Sequence, residues 1–237
     1  EFRRVLFRSY TREFIKFFTG LLGMPSGLQA FFHCLMDKLD AANTWETLHC
    51  RTPVMGSRFT VPLHLPQFEN YDNKYEPASA HILGSVVLFY QLGFSIDSVE
   101  IKTLISYFKN YLIPMQINDD LHDWQEDMSR GHLSTVVTML LEDLGSSRRE
   151  IDLVADKSEL EQIFWSKTLP RAGALAHSHL DKARIALYSL PMIENYAPLE
   201  KFIISIEQSI DAALQERKIT RDFLQYFTAT TRLPNLT

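Results

Sequence analysis

The sequence predicts an all-α protein that folds as a single-domain helical bundle. Apolar residues recur at three- and four-residue spacing along most of the chain, and no segment sustains the alternation of a β-strand. Only 9 of the 237 residues are glycine, and 46% are hydrophobic against 22% charged, so the composition suits a packed core rather than a disordered chain. The length suits one large domain or two small ones, and no linker divides the chain.

The predicted helices begin and end at recognisable signals. Ser26 and Asp97 have side chains suited to helix N-caps. Gly93, Gly131 and Gly145 stand where helices should end, because glycine readily adopts the left-handed conformation that terminates a helix. We therefore expect helices near residues 10–22, 27–50, 78–93, 97–129, 132–144, 157–190 and 198–228.

The remaining segments are predicted to be irregular. Prolines interrupt residues 52–77, which should form a loop or an irregular crossing. Residues 145–157 are charged and should form a second loop. Pro114 lies inside a predicted helix, where it removes a backbone donor and should kink the helix, and Pro170 should act in the same way.

Charge and cysteine content exclude several classes of protein. A net charge of −5 offers no basic footprint for nucleic acid. Cys34 and Cys50 read as free thiols of a reducing compartment, so we expect a cytoplasmic protein. The longest uncharged run, residues 77–96, is too polar to cross a membrane, and its apolar part, residues 82–94, is too short. We therefore expect no transmembrane segment.

Residues 116–131 carry the strongest functional signal. They include five carboxylates within nine residues. On a helix that turns about 100° per residue, Asp119, Asp123 and Glu126 fall within an arc of roughly 60°. Arg130 shares this arc. Acidic side chains one turn apart repel each other, and too few basic residues are present to neutralise them, so the stripe is either solvated or built to hold cations.

The same helical face becomes apolar toward its N-terminal end. Met115, Leu112 and Phe108 continue the acidic arc, whereas a solvated face should stay polar along its length. A helical face that changes from acidic to apolar along its length is typical of a helix that lines a pocket. Oxygen ligands without cysteine suit Mg²⁺, which proteins often bind through one or two carboxylates plus substrate phosphates. The segment therefore predicts a ligand with a diphosphate head and an apolar tail.

Residues 116–123, Gln-Ile-Asn-Asp-Asp-Leu-His-Asp, resemble the Q-x-x-D-D-x-x-D motif of trans-polyprenyl diphosphate synthases. The spacing from Asp119 to Gly131 also resembles the D-x-x-x-D-x-x-E-D-x-x-x-G motif of squalene and phytoene synthases. The segment also partly resembles the N…S/T…E motif of terpene cyclases, with His122 at the position where that motif has a hydroxyl residue. Together these sixteen residues resemble the second aspartate-rich motif of the class I isoprenoid synthases.

The resemblance implies a helical bundle of the isoprenoid synthase type and a prenyl diphosphate substrate held through more than one Mg²⁺ ion. It implies prenyl transfer, head-to-head coupling or terpene cyclisation, and a homodimer is compatible with it. The implied catalytic residues are Asp119, Asp123 and Glu126. The implied metal ligands are Asp119, Asp123, Glu126, Asp127 and Asn118. The implied substrate-binding residues are Gln116, Arg130, Phe108, Leu112 and Met115.

The superfamily also has a first acidic motif, on a facing helix. The nearest candidate is the pair Asp37 and Asp40, but Asp37 lies only 82 residues before Asp119. We expect the first motif to lie upstream of the given sequence. Residues 1–9 read as the translation of a sequencing adapter. Residues 10–237 would then be the C-terminal part of the domain, without its N-terminal helices.

Three alternatives stay open. Two (Glu/Asp)-x-x-His pairs, at residues 46–49 and 119–122, match the pattern of di-iron helix bundles. The pair His122–Asp123 matches the core of an HD-type phosphohydrolase, with His81 as a distant ligand. Both readings require His122 on the metal. The third alternative is a helical isoprenoid-binding domain without catalysis.

Overall fold

The computed structural model describes residues 25–68, 76–145 and 148–230. These residues are mostly helical, which confirms the all-α prediction. The predicted helix at 10–22 lies outside them. Within the described ranges, no helix has the length and apolarity needed to cross a membrane. Cys34 and Cys50 are both free, as predicted.

The helices follow the predicted order. They are α1, Ser26–His49; α2, Leu83–Gln91; α3, Val99–Ser129; α4, Thr135–Leu144; α5, Lys157–Ile163; α6, Leu169–Tyr188; and α7, Ala197–Thr230. A 3₁₀ helix, Glu76–Ile82, precedes α2, and a π-helical segment, Phe164–Thr168, joins α5 to α6. The predicted helix 157–190 is therefore a continuous helical run, and its backbone hydrogen bonds change from the α to the π pattern at residues 164–168.

The helix ends agree with the sequence signals at the glycines, but both predicted N-caps need correction. Ser26 is the first residue of α1, and the cap position is Pro25, which makes no side-chain hydrogen bond. Gly93, Gly131 and Gly145 all have positive φ angles at helix ends. The cap of α3 is Ser98 rather than Asp97, because the Ser98 side chain accepts a hydrogen bond from the third residue of the helix. Pro170 is the second residue of α6 and directly follows the π-helical segment, so the change of hydrogen-bonding pattern in this helical run occurs next to the proline.

A small antiparallel sheet is the main feature that the sequence does not predict. Strands β1, Val54–Met55, β2, Arg58–Thr60, and β3, Glu150–Asp152, pair in that order. Both segments predicted to be loops therefore contribute strands. Phe59 lies opposite Ile151, and both side chains are fully buried in the main core, which explains why these short strands pair.

The long helix α3 is the centre of the fold. It packs along α6, and α4 and α7 cover further sides of it. Its buried positions recur with helical spacing and include Ile101, Leu104, Tyr107, Leu112, Ile113, Ile117, Leu121, Trp124 and Met128. Toward its C-terminal end the indole of Trp124 stacks on Phe164, with the ring centroids 4.9 Å apart. The acidic motif therefore lies on a helix that packs against several other helices of the described structure.

Candidate functional site

The exposed part of the acidic motif consists of Asp119, Asp123 and Glu126. All three carboxylates are exposed on the last three turns of α3, on the shared face that helical spacing predicts. Neither Asp119 nor Asp123 forms an ion pair or hydrogen bond with another residue that the structure describes. Two negative side chains one turn apart, without a neutralising partner, are a favourable place for a cation.

Glu126 differs from the two aspartates because it is paired. Its carboxylate forms an ion pair with Arg130 one turn later, and both side chains are more than half exposed. An exposed pair of this kind contributes little free energy, because water competes for both groups. Glu126 can therefore exchange Arg130 for another cation at small cost.

Asp120 is adjacent to Asp119 in the sequence but lies inside the protein. Its side chain is 8% exposed, and Oδ2 accepts a hydrogen bond from the backbone N–H of Thr135 at 3.1 Å. Thr135 is the first residue of α4, so the carboxylate also faces the positive end of that helix dipole. Asp120 therefore anchors α4 on α3.

Asp127 is held by a histidine that the sequence analysis does not identify. His132 Nδ1 lies 3.0 Å from Asp127 Oδ1, and His132 Nε2 lies 3.3 Å from Glu46 Oε1 on α1. Arg51 also reaches Glu46, at 3.4 Å. Burial alone would lower the pKa of His132, but hydrogen bonds to Asp127 and Glu46 outweigh burial and raise this pKa above its ordinary value of 6.5. The His132 side chain therefore bridges the end of α3 to the end of α1.

The residues that match the terpene-cyclase motif, Asn118, His122 and Glu126, have different surroundings. The Asn118 Oδ1 atom is buried and has no hydrogen-bond partner within the described ranges. Asn118 is rotated by about 100° from Asp119, and its role as a metal ligand stays a prediction. His122 is exposed, and its Nδ1 lies 2.7 Å from the backbone oxygen of Asn118, within its own helix.

The apolar continuation of the acidic face is packed. Leu112 is 2% exposed and belongs to the main core, and Phe108 and Met115 are partly buried against it. Gln116 is half-buried beside them. Three cavities lined by described residues lie elsewhere, two along α4 and one between α3 and α6. The role of Phe108, Leu112 and Met115 in substrate binding stays a prediction.

A complete metal site is not formed by the described residues alone. Among them, no group of three or more histidine, cysteine, aspartate or glutamate side chains is close enough to hold a metal ion. Asp37 and Asp40, which lie on α1, do not complete such a group with the α3 carboxylates, and neither does His122. Mg²⁺ is commonly held by one or two carboxylates while phosphates and water fill its other positions. Asp119 and Asp123 fit that arrangement.

The two alternative metalloenzyme patterns gain no support from the geometry. Each needs His122 together with further side chains on one ion, and no such group exists in the part of the chain that the structure describes. Glu46, which the di-iron pattern would use, is committed to His132 and Arg51.

Comparisons with known proteins add no further constraint. No protein family, curated protein or solved structure matches the chain. The assignment of function therefore depends on the acidic motif and on the contacts around it.

Proposed function

We propose that this protein is a Mg²⁺-dependent enzyme that uses prenyl diphosphates, of the class I isoprenoid synthase kind. The reaction would be prenyl transfer, head-to-head coupling or cyclisation after loss of diphosphate. One observation carries the proposal: Asp119 and Asp123 are exposed and unpaired among the described residues, one turn apart on a rigid helix. The sequence pattern around them is the one that resembles the second aspartate-rich motif.

The residues of α3 have distinct parts in this proposal. Asp119 and Asp123 would hold Mg²⁺ on the protein side, and the substrate diphosphate would supply oxygens on the other side. When bound, Mg²⁺ stabilises the negative charge that develops on the diphosphate oxygens as they leave. Glu126 would join the carboxylates once Arg130 turns to the diphosphate, where its guanidinium could donate to two phosphate oxygens. That exchange is inexpensive because their exposed ion pair is weak.

Asp120 and Asp127 support the site from behind. Asp120 joins α3 to the first turn of α4, and Asp127 joins α3 to α1 through His132 and Glu46. Contacts between elements of this kind fix the position of a helix and so the direction of its exposed side chains. We propose that these two carboxylates position the site rather than bind the first metal ion.

The proposal is tested by diphosphate release from farnesyl and geranylgeranyl diphosphate, with and without Mg²⁺. Asp119→Asn combined with Asp123→Asn should reduce Mg²⁺-dependent release by at least about 100-fold, because the metal contributes several kcal/mol and each tenfold is about 1.4 kcal/mol. The control is Glu216→Gln, which neutralises an exposed carboxylate on α7 and should leave release unchanged. Release that is equally fast in the double variant would rule the mechanism out.

A non-catalytic prenyl diphosphate-binding domain is the second candidate. It is favoured by the absence, within the described ranges, of a third metal-binding side chain beside Asp119 and Asp123. This candidate predicts Mg²⁺-dependent binding of farnesyl diphosphate, weakened in the same double variant, without diphosphate release. Absence of both release and Mg²⁺-dependent binding would contradict the two candidates together.

A further inference from the structure

A second polar site lies on the side of α3 that faces away from the acidic motif. A groove of about 460 Å³ runs between the N-terminal half of α3 and the C-terminal half of α6. Asn110, which lines it, is nine residues from Asp119, a rotation of about 180° around the helix. The groove is therefore independent of the proposed metal site.

The groove is positively charged. Lys102 on α3 and Lys182 on α6 line it, both are exposed, and neither pairs with a carboxylate among the described residues. No acidic side chain of the described ranges lines the groove. The chain as a whole carries a net charge of −5, so a groove with two lysines and no carboxylate is a local exception. Its field favours an anion.

His179 is buried next to Asn110, a residue that lines the groove. This side chain is 7% exposed, and burial, followed by the charges of Lys182 and Lys109, lowers its pKa to about 4. The histidine is therefore neutral at physiological pH and does not compete with the lysines for an anion. The positive charge of the groove stays on the lysines.

The floor of the groove is held in place by hydrogen bonds. His179 Nδ1 lies 2.9 Å from Asn110 Oδ1, and Asn110 Nδ2 donates to the backbone oxygen of Ser106 at 2.8 Å. The same Nδ2 lies 3.4 Å from Ser106 Oγ, which accepts from it. Because the oxygen of Ser106 is used as an acceptor on that side, its proton is available to a ligand. The groove therefore offers an anion one hydroxyl donor and two ammonium groups.

We propose that this groove binds a phosphate group without a metal, with Lys102, Lys182 and Ser106 as its donors. The phosphate could belong to a small phosphorylated molecule or to the headgroup of an anionic lipid, since both present the same oxygens. Ile185, which is 68% exposed, lines the same groove and offers an apolar contact beside the phosphate. The site is additional to the proposed prenyl diphosphate chemistry.

The test is calorimetric titration of the full chain with inorganic pyrophosphate in EDTA at low ionic strength. EDTA removes divalent metal, so the acidic motif does not contribute. Lys102→Gln combined with Lys182→Gln should raise the dissociation constant at least about tenfold, whereas Lys102→Arg combined with Lys182→Arg should keep binding within about threefold. The control, Lys201→Gln combined with Lys218→Gln, removes the same charge from exposed positions of α7 and should change binding less than about twofold.

The source of the phosphate is identified by a second arm with vesicles. Phosphatidylcholine vesicles with and without phosphatidic acid are sedimented with the wild-type protein and the same variants. Binding to pyrophosphate would identify the ligand as a free phosphorylated molecule, and binding only to the acidic vesicles would identify it as a lipid headgroup. Either result supports the site if the double glutamine variant no longer binds. No saturable binding in either arm, or an equal loss in the α7 control, overturns the proposal. Asp119→Asn combined with Asp123→Asn should leave metal-free binding unchanged, which separates this result from the fate of the proposed function.

Discussion

Asp119 and Asp120 are neighbours in the sequence but have opposite environments. One residue rotates a helix by about 100°, which carries Asp119 to the exposed face and Asp120 to the side covered by α4. The four aspartates of the motif therefore separate into an exposed pair, Asp119 and Asp123, and two that contact other parts of the protein, Asp120 and Asp127. Residue type alone does not show this division, because all four positions are the same amino acid.

Alanine at these two positions should separate the structural carboxylate from the exposed one. Asp120→Ala should lower the free energy of unfolding by about 1–3 kcal/mol, because it leaves the buried N–H of Thr135 without its acceptor. Asp119→Ala should change this free energy by less than about 0.5 kcal/mol, since it removes an exposed charge and also relieves repulsion with Asp123. Urea denaturation of both variants measures the difference. Equal losses would show that Asp120 does not anchor α4.

His132 should make stability depend on pH. Its pKa is raised in the folded protein above the ordinary value of 6.5, so folding favours the charged form. The contribution is fully present below pH 6.5 and is lost as pH rises through the folded pKa. His132→Gln should therefore lower the free energy of unfolding by about 1–2 kcal/mol at pH 6 and by much less at pH 9.

The control for this pH dependence is His64→Gln, which replaces an exposed histidine away from α3. It should leave the difference between pH 6 and pH 9 as in the wild type. Urea denaturation of wild type and both variants at the two pH values supplies the comparison. A larger loss of unfolding free energy in the His132 variant at pH 9 than at pH 6 would contradict the prediction that folding raises the pKa of His132.

At the scale of the element, the C-terminal end of α3 is fixed by backbone contacts as well as by side chains. Thr52 N–H donates to the Gly131 oxygen at 2.9 Å, and Leu133 N–H donates to the Cys50 oxygen at 3.0 Å. The segment after α1 therefore pairs with the segment after α3. Gly131 permits this pairing because its φ is 66° and no Cβ stands between the two backbones.

Alanine at two glycines tests this close approach. A Cβ on Gly131 would overlap the backbone oxygen of Thr52, whereas a Cβ on Gly56, whose φ of 63° is close to that of Gly131, would meet nothing within 4 Å among the described residues. Gly56→Ala should cost about 1–2 kcal/mol from φ alone. Gly131→Ala should cost about 3 kcal/mol or more, because the clash adds to the same strain. Thermal or urea unfolding measures the loss of unfolding free energy in the two variants. Similar losses would show that the backbone at Thr52 shifts to accommodate the Cβ at little cost.

At the scale of the whole molecule, the helical architecture follows from local signals. The apolar spacing and the terminating glycines are properties of adjacent residues, so they predict α1, α3, α4 and α7 to within a few residues. The exposed face formed by Asp119, Asp123 and Glu126 also follows from helical spacing alone.

Features that depend on distant residues could not be predicted in this way. Strands of two or three residues are too short to show alternation, and β2 pairs with β3, which is about ninety residues away. The partner of Asp127 is His132, and the second partner of that histidine, Glu46, lies on another helix. The burial of Asp120 depends on where α4 packs. Each of these contacts is fixed by tertiary packing and leaves no local pattern.

The central claim is that Asp119 and Asp123 hold a divalent metal together with diphosphate. Mn²⁺ is a suitable probe because it shares the preference of Mg²⁺ for oxygen ligands and can be followed by electron paramagnetic resonance. With two carboxylates and no third ligand in the described ranges, Mn²⁺ alone should bind weakly, and pyrophosphate should tighten Mn²⁺ binding at least about tenfold.

The decisive measurement is this Mn²⁺ titration, with and without pyrophosphate, of the wild type, of Asp119→Asn combined with Asp123→Asn, and of Glu216→Gln. Pyrophosphate should tighten Mn²⁺ binding in the wild type and in the Glu216 control but not in the double variant. Tightening of equal size in the double variant, or none in the wild type, would show that Asp119 and Asp123 do not hold the metal with diphosphate.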